Sequence, residues 1–190
     1  ISGGGITRSS TVEVTGSLNN SGSTNIVGNL TNGSSGLTAL NLSHAEGYQT
    51  TASGSYSHTE GNSTVASGSY SHAEGFFTRA VGNHSHAEGD QSRALGNLSH
   101  AEGGTTISLG VGSHAEGIGT VTSGSYSHAE GVSSIAIGDY SHAEGYQTIA
   151  IGESSHAEGT NSKSSGSYSH AEGAYNIAYG QASHAEGSSN

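Results

Sequence analysis

The chain has 190 residues and a formal net charge of −11, with 32 Gly, only 30% apolar residues and no Pro, Cys, Met or Trp. Large aliphatic side chains are too few to fill a globular core that offsets the entropy of ordering the chain, and disulfide staples are ruled out. The only basic residues are Arg8, Arg79, Arg93 and Lys163, too few for phosphate or an anionic membrane surface, which excludes nucleic acid as a partner.

No apolar run approaches the roughly 20 residues of a membrane-spanning helix, so no membrane insertion is expected of this segment. The chain opens at Ile1 without a signal-peptide pattern and stops just after a repeat, which reads as a piece of a longer protein.

Residues 1–40 are rich in Gly, Ser, Thr and Asn. Thr11-Val12-Glu13-Val14-Thr15 alternates, and Gly16-Ser17-Leu18-Asn19-Asn20 and Gly28-Asn29-Leu30-Thr31-Asn32 form a degenerate repeat of about 12 residues. The pattern predicts short strands joined by turns, a fibre-shaft segment leading into the next region, with a flexible linker as the alternative.

From residue 41 to 187 the sequence is strictly periodic, and 188–190 form a short tail. Ser-His pairs begin at Ser43, Ser57, Ser71, Ser85, Ser99, Ser113, Ser127, Ser141, Ser155, Ser169 and Ser183, every 14 residues. Each opens Ser-His-Ala-Glu-Gly, with Thr59 replacing Ala in the second copy. A second half-motif, small-x-Ala-x-Gly, follows seven residues on, as in Thr50-Thr51-Ala52-Ser53-Gly54. Fourteen residues are too few for a helical-hairpin repeat of ~33 to 47 residues. They suit two short strands and two tight turns, with Gly47 and Gly54 at the turns. The expected fold is an all-β parallel solenoid of eleven coils, a rod roughly 50 Å long at ~4.8 Å per coil.

Alternation along each strand assigns the faces. Ser43 and Ala45 point inward, and so do Thr50 and Ala52, because eleven stacked His and Glu cannot be buried unpaired. The outward columns of the second half carry Val65, Val81, Leu95, Ile107, Leu109, Val121, Ile135, Ile137, Ile149, Ile151 and Ile177. That aliphatic stripe is a long exposed patch on a single chain, and burial against copies of itself resolves it, making the chain an obligate homo-oligomer. Arg79, Arg93 and Lys163 interrupt the stripe and would need carboxylates of neighbouring subunits, or an anion trapped on the axis.

The other outer face carries His44, Glu46, His58, Glu60, His72, Glu74, His128, Glu130, His142 and Glu144 among its repeats. Three readings compete. The first is an outward ladder in which interleaved His offsets Glu repulsion by hydrogen bonding or partial protonation, so that the assembly does not weaken between roughly pH 7 and 5.5. The second is divalent-metal binding by imidazoles of adjacent coils. In the third, Tyr56, Tyr70, Tyr126, Tyr140 and Tyr168 share the face, if the strand extends that far, and contact a host-surface glycan or protein with avidity. The favoured reading is the ladder, with no metal or cofactor.

His-Ala-Glu is also part of a zinc-deaminase signature, but that site needs a Pro-Cys-x-x-Cys half and this chain has neither residue. Neighbouring Ser and His point to opposite faces, so they form no nucleophile and base. No catalytic residue is expected.

The period, with Ile135-Ala136-Ile137-Gly138 and Ile149-Ala150-Ile151-Gly152, resembles the YadA-like head repeat of trimeric autotransporter adhesins over about residues 41 to 187. The resemblance implies a left-handed β-roll, three of which associate around an axis, so that the stripe becomes a trimer interface. His and Glu stand where the family has two hydrophobes. Similar Ser-His-Ala-Glu-Gly arrays occur in phage and viral fibre proteins. The expectation is a non-enzymatic, extracellular, homotrimeric rod on a virion or cell surface that spaces or presents adhesive tips. An adhesin whose own rod face binds a host glycan or matrix protein is one alternative, and a filament subunit the other.

Overall fold

A computed structural model describes residues 30–33 and 37–189. The readings of residues 1–29, including the alternating Thr11–Thr15 stretch, therefore fall outside the described residues.

The described chain is an all-β parallel solenoid whose coils repeat every 14 residues. Each coil contributes one long strand, such as His72–Phe76, and one short strand, such as Arg79–Ala80. The long strands form one 12-stranded parallel sheet and the short strands an 11-stranded parallel sheet. Pairing keeps equivalent residues in register, so His100 lies beside His86 and His114, and Glu102 beside Glu88 and Glu116. The sheets begin before residue 41: Leu30–Gly33 pairs with His44–Gly47, and Thr38–Ala39 with Thr51–Ala52.

The interior is a column of Ala, Ser and Thr. Ala45, Ala52 and their equivalents from Ala66 through Ala171 are fully buried, as are Thr50, Thr64 and Thr78. Asn176 is an exception in this otherwise Ser/Thr column, and its side-chain amide donates to the carbonyls of Glu172 and Gly187. Alanine side chains and threonine methyls supply the buried apolar surface, so hydrophobic stabilisation per coil is small. Regular hydrogen bonding fills the gap. The His44 amide donates to the Ser57 carbonyl at 2.9 Å and the His58 amide to the Ser71 carbonyl at 2.9 Å, a pattern repeated up the rod.

The Ser of each Ser-His pair lies inside, and its hydroxyl has a role beyond its small size. Ser71 Oγ donates to the Gly68 carbonyl at 2.6 Å and Ser85 Oγ to the Gly82 carbonyl at 2.6 Å, three residues back around the turn. The same carbonyls accept the Ser71 and Ser85 amides at 3.3 Å, and the hydroxyls supply the shorter bonds.

The two glycines of a coil are needed for different reasons. Gly47 has φ +108° and a Cβ there would lie 2.0 Å from the Gly61 carbonyl oxygen. Gly54 is not in the left-handed region, yet a Cβ would lie 1.9 Å from the Gly68 oxygen, so stacking alone forbids a side chain.

The left-handed turn residues lie elsewhere. Every seventh residue from Leu42 to Ser189 has φ between +52° and +65°, and only Gly112 and Gly119 in that series are glycines. Leu98, Tyr70 and Phe77 thus hold a conformation costing on the order of 1 kcal/mol each. Their amides bridge to the preceding coil in return, Tyr70 to Ser55 at 2.8 Å and Phe77 to Asn62 at 2.9 Å.

Candidate functional site

Each outer face carries its own candidate surface. On the short-strand sheet, Val121, Ile135 and Ile149 are stacked in register with Ile107 below and Lys163 above. Ile107, Val121, Ile135 and Ile149 are half-buried by their own neighbours along the stack, as are Val65, Leu95 and Ile151. Val81, Leu109, Ile137 and Ile177 are 36–46% exposed, so each leaves much of its apolar surface in water on a single chain. Arg79 and Arg93 are direct partners on adjacent coils, placing two like charges one coil apart. Among the described residues, neither they nor Lys163 forms an ion pair within the chain, and the buried Arg93 Nε has no hydrogen-bond partner.

A second apolar column, not anticipated from alternation, borders the long-strand sheet. Ile118, Val132 and Tyr146 occupy successive coils at the strand ends, with exposures of 60%, 37% and 49%. The signal was present as the variable residue after each Ser-His-Ala-Glu-Gly, but its identity changes too often to stand out as a stripe.

The long-strand sheet carries the His and Glu columns on its outer side. Imidazole rings from His44 to His184 form one uninterrupted stack, with centroids 4.6–5.0 Å apart and planes within 10° of parallel. Stacking makes this face less open than alternation implied, and the His side chains are about one-third exposed. The Nε2 atoms of His86, His100, His114 and most others are buried without a hydrogen-bond partner. Where carboxylates lie within 4 Å of these atoms, they are still too far away for a hydrogen bond. His114 Nε2 is 3.7 Å from Glu102 Oε1 and 3.7 Å from Glu116 Oε2.

Partial protonation of the ladder, expected from outward His beside Glu, needs correction. Burial first, and then the neighbouring imidazoles, hold the pKa values of His114 and His142 below the ordinary range. His72, His86 and His156 are lowered likewise, again chiefly by burial. Nearby carboxylates pull the other way and lose, so these contacts join neutral imidazole to carboxylate. The Glu column instead shares protons with itself. Hydrogen bonds to Glu130 and Glu158 raise Glu144 to about 7, while the bonds from Glu144 lower Glu130 and Glu158. Glycines beside the carboxylates leave a groove of about 860 Å³ along the ladder, lined by Glu116, Glu130, Glu144 and Gly131 among others.

The Tyr residues do not continue the His/Glu strand. Strands start at His58 and His72, whereas Tyr56 and Tyr70 sit in the turn with φ +58° and +57°. They stand out there, more than half exposed, and stack on one another at 5.1 Å, with Tyr70 on His84 at 4.9 Å. Tyr126 and Tyr140 stack at 5.5 Å, and the Tyr126 ring occupies the space a side chain at Gly112 would fill.

Coil length, paired parallel sheets and the Ala-Ser-Thr interior make one unit, repeated. A family model, the YadA head domain repeat, matches residues 45–71, 73–99, 123–141, 129–155 and 143–162. The solenoid is built of YadA-like head repeats. No curated protein matches the chain. The YadA head suggests an adhesive or structural role on an extracellular surface. Heads of this kind are homotrimeric in general, and no helix among the described residues is long and apolar enough to cross a membrane.

Proposed function

We propose that the chain is a non-enzymatic trimeric rod that spaces or presents binding tips on a virion or cell surface. The observation that carries this reading is the aliphatic column from Ile107 to Ile149, in register over four coils and facing away from the interior. An interior of Ala, Ser and Thr cannot absorb it, so three left-handed rolls bury it around a common axis. Arg79, Arg93 and Lys163 then lie near that axis and pair with carboxylates of neighbouring chains or hold an anion. The solenoid face opposite the axis presents the His and Glu ladder.

A second reading is favoured by the exposed Tyr56–Tyr70–His84 and Tyr126–Tyr140 stacks. Rings projecting from successive turns offer repeated apolar edges to a host glycan or matrix protein, and weak sites on one rod gain avidity. Glycan-array and matrix-protein binding by the full chain separates the two. The spacer reading predicts no saturable binding. Binding that disappears in a Tyr56→Ser, Tyr70→Ser, Tyr126→Ser, Tyr140→Ser variant would establish the adhesin instead.

A further inference from the structure

We propose that the His/Glu ladder is a linear array of divalent transition-metal sites, each made of one imidazole and the two carboxylates flanking it, suited to Zn²⁺. His114 with Glu102 and Glu116 is the type site.

Three observations support it. First, the buried His114 Nε2 has no hydrogen-bond partner and faces two carboxylate oxygens, each 3.7 Å away. In the tautomer that carries its proton on Nδ1, the imidazole presents a lone pair at Nε2, and that nitrogen with the two carboxylate oxygens forms a three-atom ligand set. Second, the gap has the width of a coordination edge. Zinc–nitrogen and zinc–oxygen bonds of about 2.1 Å give a tetrahedral edge of about 3.4 Å, so the ligands need close by only a few tenths of an ångström. The same set recurs: Glu74, His86 and Glu88 offer ligand atoms all within 4.8 Å of one another. His156 Nε2 lies 3.5 Å from Glu144 and 4.0 Å from Glu158. Third, a groove runs along the Glu column from Glu116 to Glu186, lined by carboxylates and glycines, and gives water access to the carboxylate side of the sites.

Ring geometry selects this ligand set over a pair of imidazoles. His100 and His114 are stacked with planes within 4° of parallel, so their in-plane lone pairs run side by side and do not converge on one ion. Each ion thus takes one His and two Glu. Three sets share no carboxylate: His86 with Glu74 and Glu88, His114 with Glu102 and Glu116, and His156 with Glu144 and Glu158, which keeps their ions at least about 9.6 Å apart at ~4.8 Å per coil. Capacity is therefore about three ions per chain. A mixed nitrogen and oxygen set prefers zinc-like ions to Ca²⁺, which takes 6–8 oxygen ligands.

Calorimetric titration of the metal-free full chain with ZnCl₂ at pH 7.5 tests this, with CaCl₂ as the comparison and the visible spectrum of Co²⁺ as a geometry probe. The expected result is saturable Zn²⁺ uptake of about three ions per chain, at least tenfold tighter than Ca²⁺, with intense tetrahedral Co²⁺ bands. A His114→Gln variant, and separately Glu102→Gln with Glu116→Gln, should each lose about one ion while keeping the parent circular-dichroism spectrum. Equal Zn²⁺ and Ca²⁺ binding would overturn the proposal as ion condensation on an acidic face. So would no saturable binding, or a stoichiometry unchanged in both variants.

Discussion

The two sheets share one interior and one coil length, yet their outer faces follow opposite rules. The long-strand face repeats His and Glu almost without variation and settles its rings and carboxyls locally, by stacking and by carboxyl–carboxylate sharing, leaving imidazole Nε2 atoms without hydrogen-bond partners. The short-strand face varies from Arg to Ile and settles nothing locally: its aliphatics stay in water and its cations unpaired within the chain. Uniformity on one face serves stacking along the rod, whereas variation on the other is what contact with other chains requires. The interior is common to both and tolerates least.

Damage to that shared interior should have the largest effect. Gly138→Ala would place a Cβ 2.1 Å from the Gly152 carbonyl oxygen, a backbone atom that cannot give way alone. A loss of about 3 kcal/mol or more is expected, read as a second, earlier transition in thermal unfolding that splits the coil array. An unchanged melting curve would show that coils stack more loosely than described.

The faces themselves separate next. Ile135→Asp with Ile149→Asp removes about 2 kcal/mol of apolar burial per side chain from the proposed interface, before the cost of burying charge. The variant should dissociate into folded single chains by light scattering. Glu130→Gln with Glu144→Gln on the opposite face should leave the oligomer intact.

A smaller effect belongs to the turn hydroxyl. Ser71→Ala removes the 2.6 Å bond to the Gly68 carbonyl and should cost about 1 kcal/mol by denaturant unfolding, with no change in oligomeric state.

The smallest concerns pH, in metal-free buffer. Lowered His72, His86, His114, His142 and His156 favour the neutral form in the folded state. Their contribution is full above the ordinary value of 6.5 and is lost as pH falls below it. Glu144, raised to about 7, acts oppositely: its contribution is present at low pH and is lost as pH rises through about 7. The parent should therefore change little between pH 7 and 5.5, by cancellation and not because the imidazoles are free to protonate. Glu74 and Glu116 are raised too, so Glu144→Gln removes part of the opposition, and its melting temperature should fall relative to the parent over that window. A variant that instead gains stability would contradict the lowered imidazoles.

Much of this was legible in residues. The 14-residue recurrence of Ser-His and the alternation of Ser43, His44, Ala45 and Glu46 were enough for coil length, parallel stacking and the identity of the interior. The left-handed positions were not, because Leu98, Tyr70 and Phe77 carry no local preference for them. Hydrogen bonds from neighbouring coils impose that conformation. Nor could alternation place Tyr56, since it fails where the strand ends at a turn. The state of the His ladder was hidden for a further reason. Alternation separates inside from outside, but whether an outward ring is wetted or desolvated depends on its neighbours one coil away.

The most direct test of the central claim is the solution mass of the full chain, by sedimentation equilibrium at micromolar concentration. The aliphatic face predicts a species of three chains that persists on dilution and collapses to one chain in the Ile135→Asp, Ile149→Asp variant. A parent protein that runs as a folded single chain, with its aliphatic column in water, would contradict the account.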